Sequence, residues 1–183
     1  YNGRASSVVI SDSDIRRPTG QIYEQANGII KFEPTKKLDF ELEMGTVIGG
    51  SLPIGKTLDF EGAENLIFGY VLLNDWSARD LQAWEYQPLG PFLSKSFGTS
   101  ISPWIITPEA LEPFKRTPPE RDFQLLPHFE DDKAFVFDID LIVTLIEDGG
   151  TETDIVETNA KELYYSPVQQ LIHHASAGCG IST

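Results

Sequence analysis

Two stretches of strict alternation constrain this chain more than anything else in it. Leu38, Phe40, Leu42 and Met44 alternate with Lys37, Asp39, Glu41 and Glu43. Phe135, Phe137, Ile139, Leu141, Val143 and Leu145 are spaced by two in the same way. A period of two matches a half-buried strand and not a helix, so both stretches predict strands. Ser7–Ile10 is short and β-branched. Asn27-Gly28 signals a turn ahead of the apolar run Ile29–Phe32. Phe68–Asn74 is nearly all apolar, as expected of a strand buried on both faces. Ile101–Ile106 reads as a further strand, and Thr151–Val156 as the return strand after the turn at Asp148-Gly149-Gly150.

Helix signals are fewer. Ser77 is placed to cap a short helix, with Asp80 as its capping-box partner. Thr107-Pro108 and Ser166-Pro167 each pair an N-cap with a proline at the first helical position. Val168, Leu171, Ile172 and Ala175 fall on one helical face, with Gly178 as the stop. Strands dominate and helices are short, so the expected class is α+β, mostly β, with a curled or layered sheet.

At 183 residues and 20.4 kDa the chain has enough material for one domain. The polar, Pro-containing stretch Lys115–Asp122 is the nearest candidate boundary, and a loop explains it equally well. One continuous domain, residues 1–183, is therefore expected. The formal charge of −14 argues against nucleic acid and anionic membrane surfaces as partners. No apolar run approaches the ~20 residues that span a bilayer. The lone Cys179 excludes an internal disulfide and favours a reducing compartment. The chain opens at Tyr1 without an initiator Met and stops just beyond a helical pattern, so a fragment is expected.

The chemistry begins on the acidic strand face. Asp39, Glu41 and Glu43 share one face, while Phe40, Leu42 and Met44 are expected in the core. Glu41 and Glu43 would have Cα atoms roughly 6.5–7 Å apart and can converge on one hard cation. A solvated strand face is the ordinary alternative. Asp75, in Asn74-Asp75-Trp76-Ser77-Ala78-Arg79-Asp80, stands where a strand gives way to a helix. It can complete a carboxylate cluster, and its local pattern favours the simpler role of helix cap. Lys95 lies in a loop punctuated by Gly90, Pro91 and Gly98, where it neutralises a carboxylate or an oxyanion, or is a surface lysine. His128 falls in a loop-like stretch. His173 and His174 are about 100° apart on a helix, one expected partly buried and one exposed, both structural. No His/Cys spacing fits zinc, and no phosphate loop or nucleophile elbow is present.

These pieces together resemble the fumarylacetoacetase (fumarylacetoacetate hydrolase) family. The resemblance is carried by Gly3-Arg4-Ala5-Ser6-Ser7, Glu41-Leu42-Glu43-Met44, Asn74–Asp80 and Trp84-Glu85-Tyr86. It is carried also by the Pro88–Pro103 loop with Trp104, by Gln169-Gln170-Leu171 and by His173-His174. It runs from Tyr1 to about Cys179, and the long loop favours this family over the wider acylpyruvate hydrolases, decarboxylases and hydratases. The resemblance implies a layered β-roll or barrel of the family's C-terminal type, incomplete at both ends, in a partial catalytic domain. It implies metal-dependent hydrolysis of a carbon–carbon bond in fumarylacetoacetate, giving fumarate and acetoacetate in tyrosine and phenylalanine catabolism. It implies a Ca2+ or Mg2+ cofactor and a cytoplasmic homodimer when full length.

By position, the resemblance makes Glu41, Glu43 and Asp75 metal ligands, with Lys95 and Thr99 at the metal's edge. Arg79, Gln82 and Lys95 would stabilise the leaving carbanion or the oxyanion. Tyr1, Gln82 and Tyr86 would contact substrate. The family's water-activating histidine and a fourth carboxylate ligand are expected upstream of Tyr1, so the chain by itself is expected to be inactive. Asn2 stands where the family has a histidine and Ser94 where it has a glycine. A non-catalytic metal-binding fragment and a different β-diketone hydrolase are the alternatives. A generic calcium module is disfavoured by the absence of an EF-hand pattern.

Overall fold

The acid-bearing alternation forms two strands rather than one. In the computed structural model, which describes residues 4–182, β4 (Leu38–Asp39) ends before Phe40, and β5 resumes at Leu42–Ile48. The other strands, in chain order, are β1 (Val8–Ile10), β2 (Thr19–Glu24), β3 (Ile29–Pro34), β6 (Ile67–Asp75), β7 (Ser77–Ala78), β8 (Thr99–Ile101), β9 (Lys115–Arg116), β10 (Val136–Phe137), β11 (Asp140–Ile146) and β12 (Glu152–Asn159). The helices are α1 (Phe60–Leu66), α2 (Arg79–Leu89), α3 (Pro108–Leu111) and α4 (Pro167–Ala175). This is the mostly-β class with short helices in mixed sheets. Among the described residues one sheet has four strands and the other four have two each, so no sheet closes into a barrel.

The chain resolves into two compact units. One gathers the chain up to Gly45 with Val71–Trp104; the other gathers Thr46–Tyr70 with the chain from Ile105 onward.

In the first unit β1 runs parallel to β8, and β8 runs antiparallel to the end of β6, with Asp75 opposite Thr99. β2 and β3 form a hairpin across Asn27-Gly28. Gly28 has φ +70°, and the Asn27 side chain accepts the Ile29 N–H at 3.1 Å, so the turn residues do what their chemistry allows. Helix α2 lies on β2. A Cβ at Gly20 would come within 2.5 Å of Leu81 Cδ2, so the missing side chain lets Leu81 seat on the strand. Trp84 stacks on Tyr23 at 5.6 Å and donates its indole N–H to Gln21.

Several local expectations give way here. Phe40, Leu42 and Met44 are half-buried, not core. Phe68 and Leu72 are exposed, so β6 is not covered on both faces. Ser77 does not cap α2: it lies in β7, its hydroxyl donates to the Asp75 carbonyl, and Ala78 takes the N-cap position. Asp80 is no capping-box partner: its carboxylate accepts from the Thr35 hydroxyl, from the Lys36 N–H at 2.7 Å and from the Leu81 N–H in the first turn of α2. Tertiary donors outcompeted the local cap. β8 stops at Ile101: the Ser102 N–H still donates to the Leu72 carbonyl at 2.9 Å, but its hydroxyl takes the Leu72 N–H, Pro103 follows, and Ile106 bridges Tyr70 further on.

In the second unit the Ser166 capping box forms with Gln169, and Pro167 opens α4. Val168, Leu171, Ile172 and Ala175 are all buried, and α4 packs against α1. Gly178 carries φ +71° beyond the helix end. β11 and β12 pair as expected, with a bulge at Val143/Thr144. The upstream alternation is broken at Asp138-Ile139, which separates β10 from β11. His173 and His174 are both exposed, because α4 buries the opposite face. His128, in a short 3-10 turn, stacks with His173 at 6.1 Å.

Candidate active site

Buried side chains in the first unit are unusually polar. Val71, Ala78 and Leu81 are accompanied by buried Thr35, Asp75, Ser77, Ser94 and Lys95. Charged groups rarely sit inside a fold without partners. Here the partners are one another.

Asp75 ends β6, where its backbone N–H donates to the Glu41 carbonyl at 3.1 Å. That bond draws the end of β6 to the gap between β4 and β5. Glu41, Glu43 and Asp75 consequently offer carboxylate oxygens that all lie within 4.8 Å of one another. Asp75 therefore belongs to the cluster and caps no helix. Lys95 is 5% exposed and so is no surface lysine. Its ammonium lies 2.5 Å from Glu41 Oε2 and 3.2 Å from Asp75 Oδ2. Arg79, the first residue of α2, donates from Nε to Asp39 at 2.8 Å and from Nη1 to Glu41 at 2.9 Å. The same Nη1 donates to Gln82 Oε1 at 3.0 Å. Because guanidinium only donates, the Gln82 oxygen faces Arg79 and its NH2 group is left to donate elsewhere.

The acidities follow from these contacts. Burial tends to raise the pKa of Glu41, but hydrogen bonds from Lys95 and Arg79 outweigh it and hold the carboxyl below the usual glutamate value. Burial pushes Asp75 up, with Lys95 opposing. Glu43 touches solvent, yet crowding around its carboxyl and the charges of Asp75 and Glu41 push it up as well. The Arg79 hydrogen bond holds Asp39 down. Two carboxyls of the trio therefore resist ionisation as they stand, as expected where acids crowd with too little compensating charge.

The donor set fits a hard divalent cation. It consists of carboxylate oxygens, and Asp75 Oδ1 is buried without a hydrogen-bond partner among the described residues. Thr99 is half-buried opposite Asp75 on β8. Tyr86 is half-exposed on α2, two turns beyond Arg79. Tyr1 and Asn2 lie outside the described residues.

Two participants carried no role in the sequence reading. Asp39 was placed on the acidic face, but only the pairing of β4 with β7, which sets Asp39 opposite Ser77, brings it to Arg79. Glu85 accepts the backbone N–H groups of Phe92, Leu93 and Ser94 at 2.7, 3.2 and 2.8 Å. Its signal is an acid two residues before Gln87-Pro88, where the non-helical Gln87 interrupts α2 and the dipole of the preceding turns disfavours an acid unless donors are supplied. Ser94 is fully buried, and its hydroxyl has no partner among the described residues.

A carboxylate trio at a strand end, flanked by an arginine and a buried lysine, is a donor set that could hold a metal ion beside two fixed cations. Comparison with known proteins makes this narrower. The chain belongs to the family described as Fumarylacetoacetate (FAA) hydrolase C-terminal, which matches residues 1–183. It is 50% identical over 99% of its length to fumarylacetoacetase of Arabidopsis thaliana, covering 43% of that protein. It is 47% identical over 99% of its length to fumarylacetoacetase of Bos taurus, again covering 43%. The chain thus spans less than half the length of these relatives. Among solved structures, fumarylacetoacetate hydrolase from Exiguobacterium antarcticum matches with TM-score 0.52 and 23% identity, over 97% of this chain and 50% of that one. That likeness is one of fold.

Proposed function

We propose that the protein carrying this chain hydrolyses fumarylacetoacetate to fumarate and acetoacetate, and that residues 1–183 are part of its catalytic domain. The observation that carries this is the convergence of Glu41, Glu43 and Asp75 within 4.8 Å, with Arg79 and Lys95 bound to the same carboxylates. The identity to fumarylacetoacetases supports the choice of substrate.

Glu41, Glu43 and Asp75 would hold a Ca2+ or Mg2+ ion, with Lys95 and Thr99 at its edge. When bound, such a cation supplies Lewis-acid polarisation of the diketone oxygens. The chain's own residues do the rest. Lys95 and Arg79 place positive charge where the carbon–carbon bond breaks and its electron pair leaves as an enolate. The Gln82 NH2 group is turned to donate to a substrate oxygen. Tyr86 and Tyr1 would line the substrate's path. The substrate is a dianion and the chain is strongly negative, so Arg79, Lys95 and the bound cation together would offset that repulsion locally. A cytoplasmic homodimer is part of the same reading. No helix among the described residues is long and apolar enough to cross a membrane.

The test is turnover by the intact protein, followed through loss of the diketone absorbance and appearance of fumarate. Activity that a chelator removes and Ca2+ or Mg2+ restores is expected. Indifference to chelation, or turnover of acylpyruvates in preference to fumarylacetoacetate, would overturn the proposal.

A further inference from the structure

Lys95 sits on a loop, and a buried ammonium on a loop needs something to fix the backbone beneath it. Three devices do so. The Lys95 and Ser96 N–H groups both donate to the Phe92 carbonyl, at 3.1 and 2.8 Å, closing a turn. The Ser94 carbonyl accepts the Ala78 N–H at 2.9 Å, which ties the loop to the start of α2. The third is the Glu85 carboxylate, which takes three successive backbone donors from Phe92, Leu93 and Ser94.

That third device is chemically distinctive. Two carboxylate oxygens serving three N–H groups form an inverted anion nest, in which the anion belongs to the protein and the donors to a loop. Glu85 stands two residues before Gln87, whose non-helical backbone interrupts α2, and the turn before that break, Ala83–Tyr86, carries no basic residue. The helix dipole opposes an acid there, and no salt bridge to Glu85 forms among the described residues. The three backbone donors are its compensation. α2 also carries Arg79, Gln82 and Tyr86. One helix therefore presents the arginine and, through Glu85, holds the loop that presents the lysine.

We propose that Glu85 is a positioning residue, whose carboxylate fixes the Phe92–Ser94 turn and thereby seats the Lys95 ammonium between Glu41 and Asp75. This rests on the reading of the Lys95 site given above. Glu85 touches neither the carboxylate trio nor Lys95's side chain and acts through the loop alone.

The experiment is a double-mutant cycle in the intact protein with Glu85→Gln, Lys95→Met and the pair. The first readout needs neither metal nor substrate: labelling of Lys95 by an amine-reactive reagent in chelated protein, followed by mass spectrometry. Glu85→Gln keeps the size but sets an NH2 group against backbone donors. It is expected to speed Lys95 labelling by at least about tenfold, the worth of one charge-assisted hydrogen bond, while Lys56 and Lys115 label as before. Faster labelling of all three would mean general loosening and overturn the proposal, as would an unchanged Lys95 rate. The second readout is Ca2+ affinity by titration calorimetry. Glu85→Gln is expected to change it in the wild-type background but by less than about twofold once Lys95 is Met, because its effect runs through Lys95. Equal effects in both backgrounds overturn the proposal. Should Glu85→Gln fail to fold, Glu85→Asp keeps the acceptors at shorter reach and is expected to speed Lys95 labelling selectively; an unchanged rate overturns the proposal. Separately, Lys95→Met that alters neither Ca2+ affinity nor turnover would refute the site reading. The labelling result would still decide the role of Glu85.

Discussion

Replacing Lys95 by Met removes the only cation in contact with Asp75 among the described residues, and the structure sets the size of the effect. The Lys95 side chain is 6% exposed and that of Asp75 11%, at 3.2 Å separation. With an effective dielectric constant near 20, such a pair attracts by at most about 5 kcal/mol. Removing one partner of a buried pair costs about 3–5 kcal/mol, because the other charge is left behind. Two features reduce that here. Glu41, the second partner, keeps Arg79 at 2.9 Å, and Met retains much of the lysine stem's packing. A loss of about 3 kcal/mol in metal-free protein is expected, lowering the thermal midpoint by roughly 6–12 °C for a domain of this size. Burial already raises the pKa of Asp75, so proton uptake relieves the orphaned charge as pH falls, and the loss shrinks toward acid. A divalent ion supplies the missing charge, so millimolar Ca2+ should recover more stability in the variant than in the wild type. Urea denaturation of both proteins with chelator and with Ca2+ measures all of this. A metal-free variant as stable as the wild type would refute the reasoning, since Lys95 would then not be neutralising the cluster.

Glu43→Gln removes one of the three carboxylates proposed to hold the cation, and should weaken divalent binding by at least about tenfold in calorimetry; unchanged affinity would dismiss Glu43 as a ligand. Ser94→Ala deletes a buried hydroxyl that has no partner among the described residues, and should raise stability by about 1 kcal/mol in urea; a decrease would show that the hydroxyl is bonded. Asp80 is pushed up by burial, but donors from Thr35, Lys36 and Leu81 prevail and hold its pKa below the unfolded value. Its contribution is therefore present above about pH 4 and lost as pH falls through the folded pKa, and Asp80→Asn should flatten the acid limb of the stability curve. An acid limb as steep as the wild type's would show that another group carries it. Gly20→Ala brings a methyl within 2.5 Å of Leu81 and should destabilise by about 1–3 kcal/mol; a neutral result would mean that α2 shifts freely on β2.

Short-range patterns were legible wherever their partners are also near in the chain. The Asn27-Gly28 hairpin, the Ser166–Gln169 capping box and the buried face of α4 each depend on residues within a turn or two, and all formed. The reading failed where a distant group offered a better bond. Ser77 and Asp80 were a plausible local cap until Thr35 and Lys36, more than forty residues away, took the aspartate. Phe40-Glu41 interrupts an apparently continuous strand, and β4 before the break pairs with β7, nearly forty residues away.

By itself the sequence determined the chemistry available: hard oxygen ligands spaced for one strand face, one lysine in a rigid loop, one arginine at a helix start, no zinc set and no disulfide. Alternation and capping act through neighbours and can be read in order along the chain. Tertiary structure alone decided that Asp75 joins Glu41 and Glu43 instead of capping a helix, that Lys95 is buried among them, and that Asp39 and Glu85 support the two cations. Those outcomes depend on pairings of β4 with β7 and of β6 with β8, and on a loop folding back onto α2. Burial and charge compensation are properties of such meetings, and no window of neighbouring residues contains them.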